Sequence, residues 1–98
     1  MKVLGKKIVE DFSKKHSRAK GPLNAWVEDA EAAIWATLAD IKKRYAHVSF
    51  LSNNKAIFNI GGNKFRLEVL VRYANGIILV ERVNTHAEYD KKNKQRKQ

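Results

Sequence analysis

The chain has 98 residues, of which 20 are Lys or Arg and 10 are Asp or Glu, so its formal net charge at pH 7 is +10. This length fits one domain, and no apolar run approaches the roughly 18 residues of a membrane-spanning helix. The sequence has no cysteine, which excludes disulfides, cysteine-ligated zinc and thiol catalysis, and which fits a reducing, cytoplasmic location.

The positive charge is distributed unevenly along the chain. Residues 1–20 have seven basic and two acidic side chains, whereas residues 21–40 have four acidic side chains and none that is basic. Small domains with a large positive charge bind polyanions through counterion release and electrostatic steering. The composition therefore favours a nucleic-acid partner, although a surplus of surface lysine is also compatible with solubility alone.

The first part of the chain has the periodicity of amphipathic helices. Ile8 and Phe12 lie on one side of a helical wheel, which predicts a first helix over about 6–18. Because proline is favourable at the first helical position, we expect a second helix to begin at Gly21-Pro22. Residues 39–45 either continue this helix or form a separate helical turn. The core-facing stripe of the second helix consists of Leu23, Trp26, Val27, Ala30, Ile34, Thr37, Leu38 and Ile41.

Trp35 lies about 120° from this stripe at 100° per residue, so it does not belong to the same packed face. Two interpretations are open. The indole either packs under a neighbouring loop or the first helix, or it contacts a partner. The second interpretation would use the smooth side of the same helix, which is formed by Ala25, Ala32, Ala36 and Ala39.

From residue 55 the periodicity changes to two, which predicts strands over 55–60, 64–73 and 77–83. Asn75-Gly76 separates the last two, and this dipeptide is a strong hairpin signal. The strands are therefore expected to form an antiparallel meander. The middle strand has an apolar face of Phe65, Leu67, Val69, Val71 and Tyr73, and an opposite face of Lys64, Arg66, Glu68, Leu70 and Arg72.

These elements predict an α+β fold in which helices cover only the apolar face of the sheet. Arg66, Arg72 and Arg82 would then lie on the open face. We expect a single domain with two to three N-terminal helices over about 6–47 and a three- to four-stranded antiparallel sheet over about 48–83. A C-terminal motif, with a short helix or basic tail, would occupy 84–98.

Acid–base chemistry near neutral pH requires a group such as histidine, and His86 is in the most suggestive position. Thr85 and Glu88 have the spacing of a capping box, which predicts a short helix with His86 and Tyr89 on one face. In the alternative interpretation, His86 only stabilises the helix start and Tyr89 closes the core. No metal-ligand spacing and no glycine-rich nucleotide loop is present, so neither a metal nor a cofactor is expected.

Two nucleic-acid-binding folds fit the pattern poorly. Lys42-Lys43-Arg44 ends a helix, as in some helix-turn-helix proteins, but the longest predicted helix is acidic and alanine-lined rather than basic. A sheet that stacks RNA bases needs exposed aromatic residues, whereas Phe65 and Tyr73 lie on the apolar side of the middle strand.

Three segments carry a family resemblance: ADIKKRY at 39–45, FNIGGNKFRL at 58–67 and THAEYDK at 85–91. In this order and spacing they resemble the HigB family of type II toxins, which is RelE-like, from about the start of the chain to residue 92. The resemblance implies helices packed on a three- or four-stranded antiparallel sheet. It also implies a metal-independent endoribonuclease that cuts mRNA on the translating ribosome and is held inactive by a HigA-type helix-turn-helix antitoxin.

The resemblance also assigns site residues. It marks Arg66, His86, Tyr89, Asp90 and Lys91 as functional candidates, and we expect Arg82 or Lys64 to assist Arg66 in catalysis. Binding of RNA and the ribosome is expected from Lys42, Lys43, Arg44, Arg72, Lys91, Lys92 and Lys94.

The sequence departs from the family in its last strand. The position five before His86 is commonly arginine in the family and is Glu81 here, next to Arg82. Either Arg82 supplies the missing cation through a bulge or register change, or the site lacks one positive charge; Glu81 could alternatively act as a base. The departure leaves two other functions open, a non-catalytic RNA- or partner-binding domain and a small DNA-binding regulator.

Overall fold

The computed structural model describes residues 1–62 and 64–87, which form an α+β fold of three helices and a five-stranded sheet. The helices are α1 (Lys6–Lys15), α2 (Ser17–Ala32) and α3 (Leu38–Arg44). The strands are β1 (Lys2–Leu4), β2 (Ser49–Leu51), β3 (Lys55–Ile60), β4 (Phe65–Arg72) and β5 (Ile77–Thr85). The predicted α+β class is confirmed, but the sheet has five strands rather than three or four.

The sheet order is β1-β5-β4-β3-β2. The strands from β2 to β5 pair antiparallel in chain order, as the meander requires, whereas β1 adds to β5 in parallel. The two strands that the sequence did not predict, β1 and β2, have three residues each. A period of two is not recognisable over so short a run.

The helices cover one face of the sheet, and the hydrophobic core lies between the two layers. Most of the predicted apolar residues of the sheet are in this core, and the aromatic ring of Phe58 packs edge-on against Trp26 at 5.2 Å between ring centroids. The core includes Val9, Leu23, Trp26, Ala30, Trp35, Ile41, Phe58, Leu67, Val69, Val71, Ile78 and Val80.

The prediction for the second helix is wrong at both ends. The helix begins at Ser17, so Pro22 lies inside it, where it has no N–H to donate to the preceding turn. It ends at Ala32, because Ala33 adopts an extended backbone and the amino group of Met1 donates hydrogen bonds to the carbonyls of Ala30 and Ala33. A positive charge at this end also stabilises the helix dipole.

The predicted core stripe therefore stops at Ala30 and resumes only at Ile41. Between them Ile34 is 91% exposed and Leu38 is 52% exposed. Trp35 is buried and packs against Tyr45 and Phe58. This result favours the packing interpretation of the indole over the partner interpretation. The third helix starts separately, with a capping box between Thr37 and Asp40 that satisfies its first backbone N–H groups.

The turn from β1 to α1 depends on Gly5. Its backbone is left-handed, with φ of +83°, and a Cβ atom at this position would lie 2.8 Å from the carbonyl oxygen of Val80. Only glycine meets both conditions without strain. This turn carries the chain from the edge of the sheet to the helical layer.

Candidate functional site on the open face of the sheet

The face of the sheet opposite the core, here called the open face, is polar at one end. Asn59, Arg66 and Asn84 are register partners across β3, β4 and β5. Two residues further along the same strands, the backbone N–H of His86 donates a hydrogen bond to the carbonyl of Lys64 at 2.8 Å. We call these five residues the polar end. It brings together three of the predicted catalytic residues, Lys64, Arg66 and His86.

A β-bulge in β5 determines where Arg82 lies. Glu68 pairs with Arg82 while the next residue, Val69, pairs with Val80, so Glu81 is an extra residue in β5. The bulge keeps Arg82 directly opposite Glu68, in the row next to Arg66 and Asn84. This is the irregularity by which Arg82 could occupy the place of the family arginine.

A buried carboxylate holds the side chains of this row. Glu68 is 9% exposed, its Oε2 lies 3.7 Å from Nε of Arg82 and it accepts a hydrogen bond of 3.2 Å from Nδ2 of Asn84. A buried charge is tolerated only when it is paired and hydrogen-bonded. Glu68 therefore orients Arg82 and Asn84 and also offsets part of the positive charge of Arg82. Neither Glu68 nor Asn84 had a role predicted from the sequence.

Glu81 also has a partner on the sheet. Its Oε1 lies 3.4 Å from Nζ of Lys55, and both side chains are less than half exposed. The carboxylate is thus engaged by a lysine, so in this arrangement it is not an isolated base. The two carboxylates, Glu68 and Glu81, make the open face less positive than the predicted row of arginines suggested.

Arg72 does not belong to the polar end. It pairs with Ile77 at the opposite end of β4 from Arg66, and six residues of strand separate the two by about 20 Å. The side chain is exposed. Its predicted contact with RNA or the ribosome would therefore be made at a distance from the polar end.

The basic end of α3 has two kinds of residue. Lys42 and Lys43 are exposed, whereas Nη2 of Arg44 lies 2.6 Å from Oδ2 of Asp29 and the guanidinium stacks over the ring of Tyr45 at 5.0 Å. The hydroxyl of Tyr45 donates to the same carboxylate oxygen at 2.7 Å. Burial, and secondly this hydrogen bond to Asp29, raise the pKa of Tyr45 above its usual value. Arg44 therefore also fastens α3 to α2.

A cavity of about 370 Å³ lies beside the polar end, between the loop after α3 and the turn after β3. Asn59 and His47 both line it. It forms because β2 pairs with β3 only as far as Ile57, which leaves the edge of the next three residues of β3 uncovered by a strand. No pattern in the sequence indicated this cavity, since the cavity depends on how far β2 extends.

Several predicted site residues lie outside the described part of the chain: Tyr89, Asp90, Lys91, Lys92 and Lys94. Among residues 1–62 and 64–87, no three or more His, Asp or Glu side chains are grouped so that they could hold a metal ion. The helices in the same part of the chain are too short or too polar to cross a membrane.

Comparison with known proteins gives the family. A search of curated proteins finds no match, but the family model for the HigB toxin, described as the RelE-like toxic component of a toxin-antitoxin system, matches residues 19–92. This range includes all of α2 except its first two residues, together with α3, β2 to β5 and the whole polar end. The chain therefore belongs to the HigB toxin family.

Proposed function

We propose that this toxin is an endoribonuclease that cleaves mRNA on the ribosome in the cytoplasm, without a metal ion. In this reaction the ribose 2′-oxygen attacks the adjacent phosphorus, and the bond from phosphorus to the 5′-oxygen breaks. A base takes the proton of the 2′-hydroxyl and an acid gives a proton to the leaving 5′-oxygen. The products are a 2′,3′-cyclic phosphate and a 5′-hydroxyl end.

The observation that supports this proposal best is the clustering at the polar end. Arg66 lies between Asn59 and Asn84 across three strands, and the backbone of His86 is bonded to that of Lys64 two residues further along. A cation and amide groups thus lie at one end of a face that the described helices leave uncovered, and the backbone of His86 is bonded beside them. A phosphodiester placed there would meet a charge stabiliser and a proton carrier together.

The roles follow from the chemistry of the side chains. Arg66, helped by Lys64, stabilises the extra negative charge on the phosphorane, because a guanidinium binds phosphate oxygens bidentately. Arg82, oriented by Glu68, is the second cation. His86 transfers the proton at the 2′-oxygen or the 5′-oxygen. Tyr89, which lies beyond the described residues, orients the phosphate or assists proton transfer.

Binding to the ribosome is assigned to cations away from the cleavage site. Lys42 and Lys43 are exposed at the end of α3, and Arg72 is exposed at the far end of β4. Arg44 and the lysines at 91, 92 and 94 complete this proposed set. Contacts of this kind position the RNA without reading its sequence. The neutralising partner in this proposal is a HigA-type helix-turn-helix antitoxin.

The test is cleavage of mRNA in a translating extract by purified toxin variants. Arg66→Ala should lower the cleavage rate at least about 100-fold because the phosphorane loses its main charge partner. His86→Ala should lower it by about 100-fold or more through loss of proton transfer. Mapping of the 5′ ends, which should carry a free hydroxyl, identifies the chemistry. Arg18→Ala in α2 and His47→Ala in the loop after α3 are the matched controls, and both should cleave as the parent does.

Two results would contradict the proposal. If Arg66→Ala and His86→Ala still cut mRNA and arrest growth as the parent does, the assignment of these residues is wrong. If the parent stalls translation but produces no new mRNA ends, the protein only binds, which the two carboxylates on the open face would then explain. Affinity for duplex DNA at physiological salt, with no effect on translation, would identify a DNA-binding regulator instead.

A further inference from the structure

A row of leucines crosses the whole open face away from the polar end. The register places Leu4 opposite Leu79, Leu79 opposite Leu70, Leu70 opposite Lys55, and Lys55 opposite Leu51. Each of the five strands thus contributes one residue, and four of the five are leucine. We call this set the leucine row: Leu4, Leu79, Leu70, Lys55 and Leu51.

The leucine row is accessible. Leu4 and Leu79 are each 39% exposed and Leu51 is 49% exposed, while Leu70 is partly buried. None of the four belongs to the hydrophobic core. A sheet with one face on the core normally presents polar side chains on the other face. Leu4, Leu79 and Leu70 form an apolar strip on that face, with Leu51 beyond Lys55. An exposed apolar strip of this kind marks a surface that another molecule covers.

RNA does not explain this strip. Affinity for RNA comes from cations that neutralise phosphates and from rings that stack on bases, and leucine side chains supply neither. The polar end has those cations, and the leucine row lies about 13 Å from Arg66, four residues away along β4. A different ligand is therefore required for the leucine row.

The charges around the row indicate the chemistry of that ligand. On one side Lys2 and Arg72 flank Ile77, which pairs with both of them. On the other side lies Arg82, and Lys55 stands within the row itself. Of these four cations, Arg82 and Lys55 have carboxylate partners, Glu68 and Glu81. An apolar strip bordered mainly by cations fits an amphipathic segment with acidic residues beside its apolar side chains.

We propose that the leucine row is the docking site for an acidic amphipathic helix of the antitoxin. The proposal rests on the toxin–antitoxin family assignment and not on the chemistry of the polar end. Five strands span four spacings, or about 19 Å, which is the length of about 13 residues of helix. The helical pitch of about 5.4 Å is close to the strand spacing of about 4.8 Å, so each turn meets one strand.

This position explains how such a partner would regulate the toxin. The row next to the leucine row contains Arg82 and Glu68, and the row after that contains Arg66. A helix of about 10 Å diameter centred on the leucine row extends about 5 Å to each side, so it lies directly beside the first of these rows, about 6.6 Å away. The bound antitoxin therefore obstructs the approach of an RNA strand to the polar end without contacting His86.

The experiment measures the affinity of the purified toxin for the purified antitoxin encoded with it. Leu4→Ser and Leu79→Ser should each weaken binding about tenfold, and the double variant about 100-fold, because each removes one buried apolar side chain from the interface. Leu38→Ser is the matched control, since Leu38 is 52% exposed but lies on α3 in the helical layer. It should bind the antitoxin as the parent does.

A second variant does not depend on the stability of the sheet. Lys2 is exposed, and Lys2→Glu places a negative charge beside the row, so it should weaken antitoxin binding and make the affinity less sensitive to salt. Circular dichroism establishes that each variant is folded. Cleavage of mRNA by the variants without antitoxin should remain within about twofold of the parent, so antitoxin escape and cleavage are scored separately.

The outcomes separate this inference from the proposed function. Unchanged antitoxin affinity in the double variant and in Lys2→Glu overturns the docking site. A toxin that is dimeric alone and becomes monomeric in the double variant, with unchanged antitoxin affinity, assigns the row to a second copy and also overturns it. Loss of ribosome binding with unchanged antitoxin affinity assigns the row to RNA. A parent that cleaves no mRNA but loses the antitoxin in the double variant supports the docking site and overturns only the nuclease.

Discussion

The polar end and the leucine row lie on the same face of the same strands and yet differ in almost every property. At the polar end Asn59, Arg66 and Asn84 succeed one another across the sheet. Two rows further along β4, Leu79, Leu70 and their neighbours do the same. Alternation along a strand requires only that alternate residues share a face. It does not require the rows of that face to have one chemistry.

The two proposals together assign two different ligands to one sheet face, in rows that are separated by a single row. Between the two regions lies the row of Glu68 and Arg82, where a buried carboxylate and a cation are paired. The bulge at Glu81 lies in the same place. Side chains on the two sides of this boundary can be changed independently, so toxicity and neutralisation should be separable by mutation.

The largest expected effect comes from a substitution at the edge of the sheet that affects the leucine row and not the polar end. Gly5→Ala should lower the free energy of unfolding by about 3 kcal/mol, because the left-handed backbone becomes strained and the new Cβ meets the Val80 carbonyl. The loss should detach β1, which carries Leu4, and shorten the leucine row. Urea denaturation measures the free energy of unfolding. Titration with the antitoxin measures whether the shortened leucine row lowers the affinity.

Gly76→Ala is the matched control for this variant. Gly76 has a similar φ of +65°, but an added Cβ would meet nothing within 4 Å. It should therefore show only the backbone strain, about 1 kcal/mol. Equal losses in the two variants would show that the close approach to Val80 contributes nothing.

The fold was predictable from the sequence wherever periodicity extended over enough residues. The alternation of Phe65 to Val71 gave both β4 and the face that the helices cover, and the antiparallel order of β3, β4 and β5 followed from the turns. The end of α2 was not predictable, because it depends on the Met1 amino group, about thirty residues away in sequence. A helical wheel continued past Ala33 therefore placed the exposed Ile34 in the core.

The candidate site was predictable in part for a similar reason. Arg66 and His86 could be assigned to one end of the sheet, because Arg66 is near the start of the middle strand and His86 directly follows the antiparallel last strand. The pairing of Glu68 with Arg82 and Asn84 was not visible, because the bulge at Glu81 shifts the register. The leucine row was not visible either, since two of its members lie in β1 and β2, the strands that are too short to recognise.

The next prediction changes the charge at the boundary between the two regions. Glu81→Gln removes the carboxylate that pairs with Lys55, so the open face gains one uncompensated cation. Affinity for a single-stranded RNA oligonucleotide should rise about threefold at 0.1 M salt. The slope of log affinity against log salt should become steeper by about 0.7, the value for one further phosphate contact on a single strand.

Glu31→Gln tests whether this gain depends on position. Glu31 pairs with Lys6 at 3.0 Å, so the variant also releases one lysine, but it does so in the helical layer. It should change the RNA affinity by less than Glu81→Gln does. Equal gains in the two variants would mean that RNA responds to total charge, and the distinction between the open face and the helical layer would be lost.

The smallest expected effect concerns cations that the polar end does not contain. Lys42→Gln and Lys43→Gln should each weaken binding of the RNA oligonucleotide about twofold and reduce the salt slope by about 0.7, because each removes one exposed phosphate contact. Arg44→Gln should change the slope less, since Asp29 already pairs with that guanidinium. Its main effect should be a lower free energy of unfolding, because α3 loses an attachment to α2.

The rate of cleavage at saturating ribosome concentration should be unchanged in both lysine variants. A fall in that rate would place the end of α3 at the reacting phosphate and extend the polar end beyond the sheet.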